Sequence, residues 1–286
     1  MISKHHHLKL LLLCFVSCSS GDEAAQKSQT EIVQPASSVD KLLIKEIQCE
    51  ERVAESLAAK IAGQKPLDLK SPELSKYLSL IAQSLARHTS RPYFQYKVGI
   101  LKDPSVNAYS ASAGFLFVSE GLLKLSANEH ELAGILAHEL AHVAEKHVIQ
   151  KSCEQRQIGI GETMARAMSR GGGEVGEVTS SYINQALETL LDIGLGPKLE
   201  GDADIMGVSL AHQAGYNAWA LHDFLDRLAK QIETAKVPKS KTHPPFQERL
   251  KFLENFLKSE KFAKVSQLND KVLAKRFKAA MKGMHP

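Results

Sequence analysis

The apolar run from Leu132 to Ala144 is broken by only three polar side chains, and they fall as His138-Glu139-Leu140-Ala141-His142. An apolar surround of this length reads as a buried helix, where polar groups are costly unless they find partners. Residues four apart share one face of an α-helix, about one turn from each other. His138 and His142 can therefore offer two imidazoles to a single ion, and Glu139 lies beside that face. Zinc in a hydrolytic site takes three protein ligands and keeps a fourth position for water. The spacing thus points to metal-assisted hydrolysis, with His138 and His142 as ligands. Glu139 would take a proton from the zinc-bound water and deliver it to the leaving amine. Hydrogen-bonded core histidines, or a zinc site without catalysis, are the alternatives for the same residues. His130 and His147 fall off the spacing and are expected at the surface.

The rest of the chain must supply a third ligand and a core to hold it. At 286 residues and 43% hydrophobic it can bury one good core or two small ones, and sparse aromatics (6%) favour a helix-rich domain over a β-sandwich. The formal charge of +4 is mild, with basic residues scattered among acids. That distribution lacks the clustered basic face that nucleic acid requires, so nucleic acid is not an expected partner. The acidic cluster Glu200-Gly201-Asp202-Ala203-Asp204-Ile205-Met206-Gly207 offers ligand candidates.

The N-terminus carries a basic stretch around Lys4 and Lys9, then the apolar run Leu10 to Val16. That run is far shorter than the roughly 20 residues of a membrane span and has the form of a secretory signal. Phe15-Val16-Ser17-Cys18 resembles a bacterial lipobox, which makes Cys18 the expected lipidation site. Residues 1–17 would then be the lipoprotein signal peptide, 18–38 a flexible tether and 39–286 the catalytic domain. Ser19 after the cysteine suggests the outer membrane, so the expected location is lipid-anchored and facing the periplasm of a Gram-negative bacterium. Cys49 and Cys153 could pair in an oxidising periplasm or remain two thiols; the sequence leaves both open.

Helical periodicity runs from Leu42 to Gly63. Ser71-Pro72-Glu73 opens a second helix with a cap, a first-turn proline and an acid at the positive end. Residues 93–101 alternate as a strand, residues 114–118 form a second strand, and residues 120–125 a short helix. Asn128 with Glu131 reads as a capping box opening the motif helix, which is expected to run to at least Ile149. Gly171-Gly172-Gly173 marks a flexible loop. Further helices are expected over 199–213, 218–234 and from about Phe246 onward.

The HELAH helix followed some sixty residues later by the acidic cluster resembles the CAAX-prenyl-protease-like metallopeptidases, peptidase family M48, a gluzincin group. The resemblance covers roughly residues 40–256 and implies an α+β, mainly helical, zincin-like domain with a small sheet and an active-site helix. It implies one Zn2+ per chain, held by His138, His142 and Glu200. It gives Asp204 the task of orienting a ligand histidine, and Asp202 stands where the family usually has a second Glu. The segment 107–123 looks like the family's strand and following helix. By that likeness Gly114, Phe115, Leu116, Phe117 and Val118 would pair with an extended substrate, although Ser112-Ala113-Gly114 replaces the usual Pro-Gly-Gly. Thr242-His243-Pro244-Pro245 is similar to the His-Pro segment of periplasmic members. That likeness brings His243 into the active site, either to stabilise the oxyanion or to bind zinc as an inhibitory fourth ligand, and has Arg249 buttress the segment through a salt bridge.

These expectations describe a zinc metalloendopeptidase acting on misfolded or misassembled cell-envelope proteins, with a possible link to outer-membrane assembly machinery. The short C-terminal remainder resembles the single-domain lipoprotein members related to the β-barrel assembly-enhancing protease. Two other readings stay open: a periplasmic chaperone or assembly factor whose zinc site is self-inhibited, and a structural zinc module.

Overall fold

A computed structural model of the chain describes residues 38–148, 195–234, 246–263 and 271–284, with residues 184, 186–188 and 191 between them. All belong to a compact unit spanning Ser38–Pro286. Cys18, Cys153, the triple glycine and His243 lie outside the described residues, and of Cys49 only the helical backbone is described.

Helix α1 (Ser38–Gln64) buries Val53, Ala54, Leu57, Ala58 and Ile61, the repeat that helical periodicity demands. Helix α2 (Pro72–Ala86) starts where its proline requires, and its stripe of Leu74, Leu78, Ile81, Ala82 and Leu85 is buried. The expected Ser71 cap is absent, because the Ser71 hydroxyl donates 2.8 Å to the carbonyl of Gly283 instead.

Three strands follow: β1 (Lys97–Leu101), β2 (Ala108–Ser110) and β3 (Phe115–Ser119), in the order β1-β3-β2. Strand β3 pairs in parallel with β1, Lys97 opposite Phe115, and antiparallel with β2, Tyr109 opposite Phe117. The strand expected over 93–101 is therefore shorter. Residues 93–96 alternate because Phe94 and Tyr96 are buried, but β3 begins only opposite Lys97, and the Tyr96 N–H donates to Gln83 Oε1. Strand β2 was not foreseen as a separate element; three residues are too few for a periodicity to register. Alternation along β3 sends Leu116 and Val118 to the main core with α2 and the motif helix. Phe117 goes to the other side, against Leu57, Ile61 and Tyr109.

The β2–β3 turn holds three consecutive left-handed residues, Ser112 (φ 67°), Ala113 (φ 43°) and Gly114 (φ 88°). A Cβ on Gly114 would lie 2.4 Å from the Gln95 carbonyl oxygen, so no other residue fits there. The non-glycine positions are braced by a buried cluster. Ser112 donates to the Glu50 carboxylate, which pairs with Arg91, and Arg91 donates 3.1 Å to the Val143 carbonyl.

Ser119 caps α3 (Glu120–Leu125), its hydroxyl accepting from the Leu122 N–H. Helix α4 (Glu129–Ala144) carries the motif and is buried along its whole length. Asn128 accepts from the Glu131 N–H at 3.0 Å, while the Glu131 carboxylate reaches back to the Ala127 N–H, one residue beyond a standard capping box. The helix stops at Ala144, short of the expected Ile149. Lys146 adopts φ 57°, and the His147 N–H folds back to the His142 carbonyl. Four helices complete the described fold: α5 (Pro197–Gln213), α6 (Ala220–Glu233), α7 (Phe246–Ser259) and α8 (Lys271–Met281). No helix among the described residues is long and apolar enough to cross a membrane.

Candidate metal centre

Helix α4 points His138, Glu139 and His142 into the interior, all almost fully buried. The two imidazoles lie one turn apart and edge to face, with ring planes at 84°, and their Nε2 atoms stand 3.1 Å from each other. Helix α5 brings the third group. It approaches α4 so closely that a Cβ on Gly207 would sit 2.8 Å from the His138 backbone nitrogen. That contact sets Glu200 and Asp204, one turn apart on α5, against the histidines. Asp202 lies between them in sequence and is exposed, as helical periodicity requires.

Glu200 Oε2 lies 3.5 Å from His138 Nε2, and Glu200 Oε1 lies 3.6 Å from His142 Nε2. Ligand atoms about 2.0–2.2 Å from a tetrahedral zinc would stand about 3.3–3.6 Å apart, so the three side chains fit one small ion. Two imidazole nitrogens and a carboxylate oxygen are also a donor set that suits zinc. The outward Nδ1 atoms are both engaged. His138 Nδ1 is 2.9 Å from Asp204 Oδ1, and His142 Nδ1 is 2.8 Å from His147 Nδ1. His147, expected at the surface, is thus partly buried and sits beside a motif histidine. His130 is buried too, accepting from the Asn217 N–H and meeting the Tyr216 ring edge-on.

Arg249 of α7 is buried behind this group. Its Nε and Nη2 donate to the two oxygens of Asp204 at 2.8 and 2.7 Å, and its Nη1 lies 3.1 Å from Glu200 Oε2. The expected salt bridge of Arg249 is therefore made to the acidic helix. Three buried carboxylates, Glu139, Glu200 and Asp204, act on this one guanidinium. The histidine responds. Burial opposes a charge on His138, yet Asp204 and Glu200 more than reverse it and push its pKa up to about 10. Burial would raise the Asp204 carboxyl, but Arg249 and His138 hold it at about 2. A divalent cation on the Nε2 side answers the same field.

Glu139, His138 and Arg249 line a pocket that is otherwise mostly apolar, with Leu221, Phe224, Leu225 and Leu228 of α6, Ile135 of α4 and Leu122 of α3. Asn107, just before β2, and Ala108, its first residue, also line it. Phe115 to Val118 stand in β3, whose two sides are taken by β1 and β2, and Gly114 lies in the turn. The sequence reading took Asn107 and Ala108 only as part of the 107–123 segment and set His147 at the surface. None stands at a helical spacing from the motif, and the first two carry no titratable group.

The peptidase family M48 model matches residues 72–257. The chain is 28% identical over 189 residues to metalloprotease LoiP of Escherichia coli K12, covering 66% of this chain and 72% of that protein. It is 23% identical over 223 residues to the β-barrel assembly-enhancing protease of the same organism, covering 75% of this chain and 45% of the other. With the mitochondrial metalloendopeptidase OMA1 of Schizosaccharomyces pombe it shares 27% identity over 188 residues, covering 63% of this chain and 52% of that protein.

Proposed function

Because the chain belongs to peptidase family M48 and is a metallopeptidase, we propose that it is a zinc endopeptidase in which His138, His142 and Glu200 hold the ion and Glu139 is the general base. The observation that carries this reading is the convergence of two Nε2 atoms and one carboxylate on a single point, beside a pocket that His138 and Glu139 line. A zinc ion bound there supplies Lewis-acid polarisation of the scissile carbonyl and acidifies water at the site. Glu139 takes the proton of the attacking water on a carboxylate oxygen and delivers it to the departing amine nitrogen. Asp204, held by Arg249, stands 2.9 Å from His138 Nδ1 and fixes that ring so that Nε2 faces inward.

The substrate lies as an extended segment along β2. This replaces the 114–118 strand of the sequence reading, since Asn107 and Ala108 share a pocket with Glu139 whereas β3 is flanked on both sides. An apolar side chain of the substrate enters the α6-walled pocket. His243 precedes α7 by three residues in the sequence, and α7 carries Arg249 into the site; we assign His243 to the oxyanion or to an inhibitory fourth ligand position. The names of the β-barrel assembly-enhancing relatives support a link to outer-membrane assembly, and misfolded envelope proteins are the substrate class of this proposal.

Glu139→Gln tests the mechanism. The variant should retain one zinc per chain and lose about 10²–10⁴-fold in cleavage of an unfolded protein; wild-type cleavage would remove Glu139 from the chemistry. In the same assay His243→Ala should either raise or lower the rate, and an unchanged rate places His243 outside the site.

A further inference from the structure

We propose that His147 is a positioning residue for the metal centre, holding His142 in the tautomer and ring orientation that present Nε2 to the ion. The inference rests on the reading of His142 as a ligand. The two Nδ1 atoms are 2.8 Å apart, and the rings meet at 65° with centroids 5.0 Å apart. A hydrogen bond between two imidazole nitrogens holds one proton, so one ring donates and the other accepts. His142 Nε2 is turned toward His138 Nε2 and Glu200, the side on which a ligand nitrogen must be unprotonated. Its proton therefore sits on Nδ1 and is donated to His147. His147 accepts on Nδ1 and carries its own proton on Nε2.

The backbone makes this contact possible five residues after His142, where no helix would place it. Helix α4 ends at Ala144, Lys146 turns left-handed at φ 57°, and the His147 N–H donates 3.0 Å to the His142 carbonyl. His147 is thus fastened to His142 by main chain and by ring. The two ligand imidazoles then have unlike supports. His138 is backed by a carboxylate that Arg249 clamps, and His142 by a neutral ring. A neutral acceptor orients its partner as a carboxylate does but adds less basicity to it.

The test compares His147→Phe, which keeps a ring but removes the acceptor, with His147→Gln, whose side-chain oxygen can accept. Zinc affinity is read by competition with a chromophoric chelator, and the ligand field by the visible spectrum of the cobalt-substituted protein. His147→Phe should bind zinc about 10- to 100-fold more weakly and shift the cobalt bands, with His147→Gln restoring most of both. Wild-type affinity and spectrum in His147→Phe overturn the proposal. If His147→Phe does not fold, His147→Gln is set against His147→Leu by the same readouts, and equal affinities overturn it. Failure of the wild-type protein to bind one zinc, or full binding by His142→Ala, would instead reject His142 as a ligand.

Discussion

Arg249 carries more of the site than a single cation on a helix would suggest. It touches Asp204 with two nitrogens and Glu200 with a third, all three side chains being buried. Removing one partner of a buried ionic group leaves uncompensated charge and costs about 3–5 kcal/mol. Arg249→Leu should therefore destabilise the protein by about that amount when chelator is present, with part of the loss recovered in excess zinc, because the cation relieves the same carboxylates. Denaturant melts under the two conditions check this; a variant as stable as wild type in chelator would refute it. The same scale shows what helical spacing can reveal. Glu200 and Asp204 share a face and Asp202 does not, so the acidic cluster sorts itself once it is known to be helical. The partners across the gap, Arg249 and His147, have no such signature, since one comes from another helix and the other from a turn.

The contact between α4 and α5 decides whether a motif on one helix becomes a site on two. Gly207 allows it, with no room for a Cβ against the His138 backbone, whereas a Cβ on Gly201 of the same helix would meet only Phe252, at 3.5 Å. Gly207→Val should thus push α5 away from α4, cost about 1–3 kcal/mol by overpacking and weaken zinc binding, while Gly201→Ala keeps it. Equilibrium dialysis against zinc compares the two; equal retention would mean that the close approach is not needed. Most element identities were legible in the sequence because helix stripes and first-turn prolines are local. The ends were less so. Helix α4 stops at a left-handed Lys146 that no residue type announces, and β1 starts where its partner strand does, not where alternation begins.

The described domain gathers α4 at its centre, with α2, the sheet, α5 and α6 around it and α8 bound to its first turn through Arg276 and the buried Glu129. Residues before Pro72 and after Leu257 lie outside the family match, yet α1 braces the β2–β3 turn through Glu50, and α8 is held to α4 and, through the Ser71–Gly283 hydrogen bond, to the start of α2. Where this molecule works is a proposal from its N-terminus: an acylated Cys18 on the periplasmic side of the outer membrane. Mass spectrometry of the mature chain should find acyl groups on an N-terminal Cys18; an unmodified or different first residue would sink the anchor. The sequence by itself determined the helix, the pair of imidazoles four residues apart and the acid beside them, because these depend only on the helical repeat. Tertiary structure decided which carboxylate meets the imidazoles, which groups hold their outer nitrogens and which strand borders the pocket. Those contacts join residues that are distant along the chain or follow a change in backbone direction, and no local periodicity encodes them.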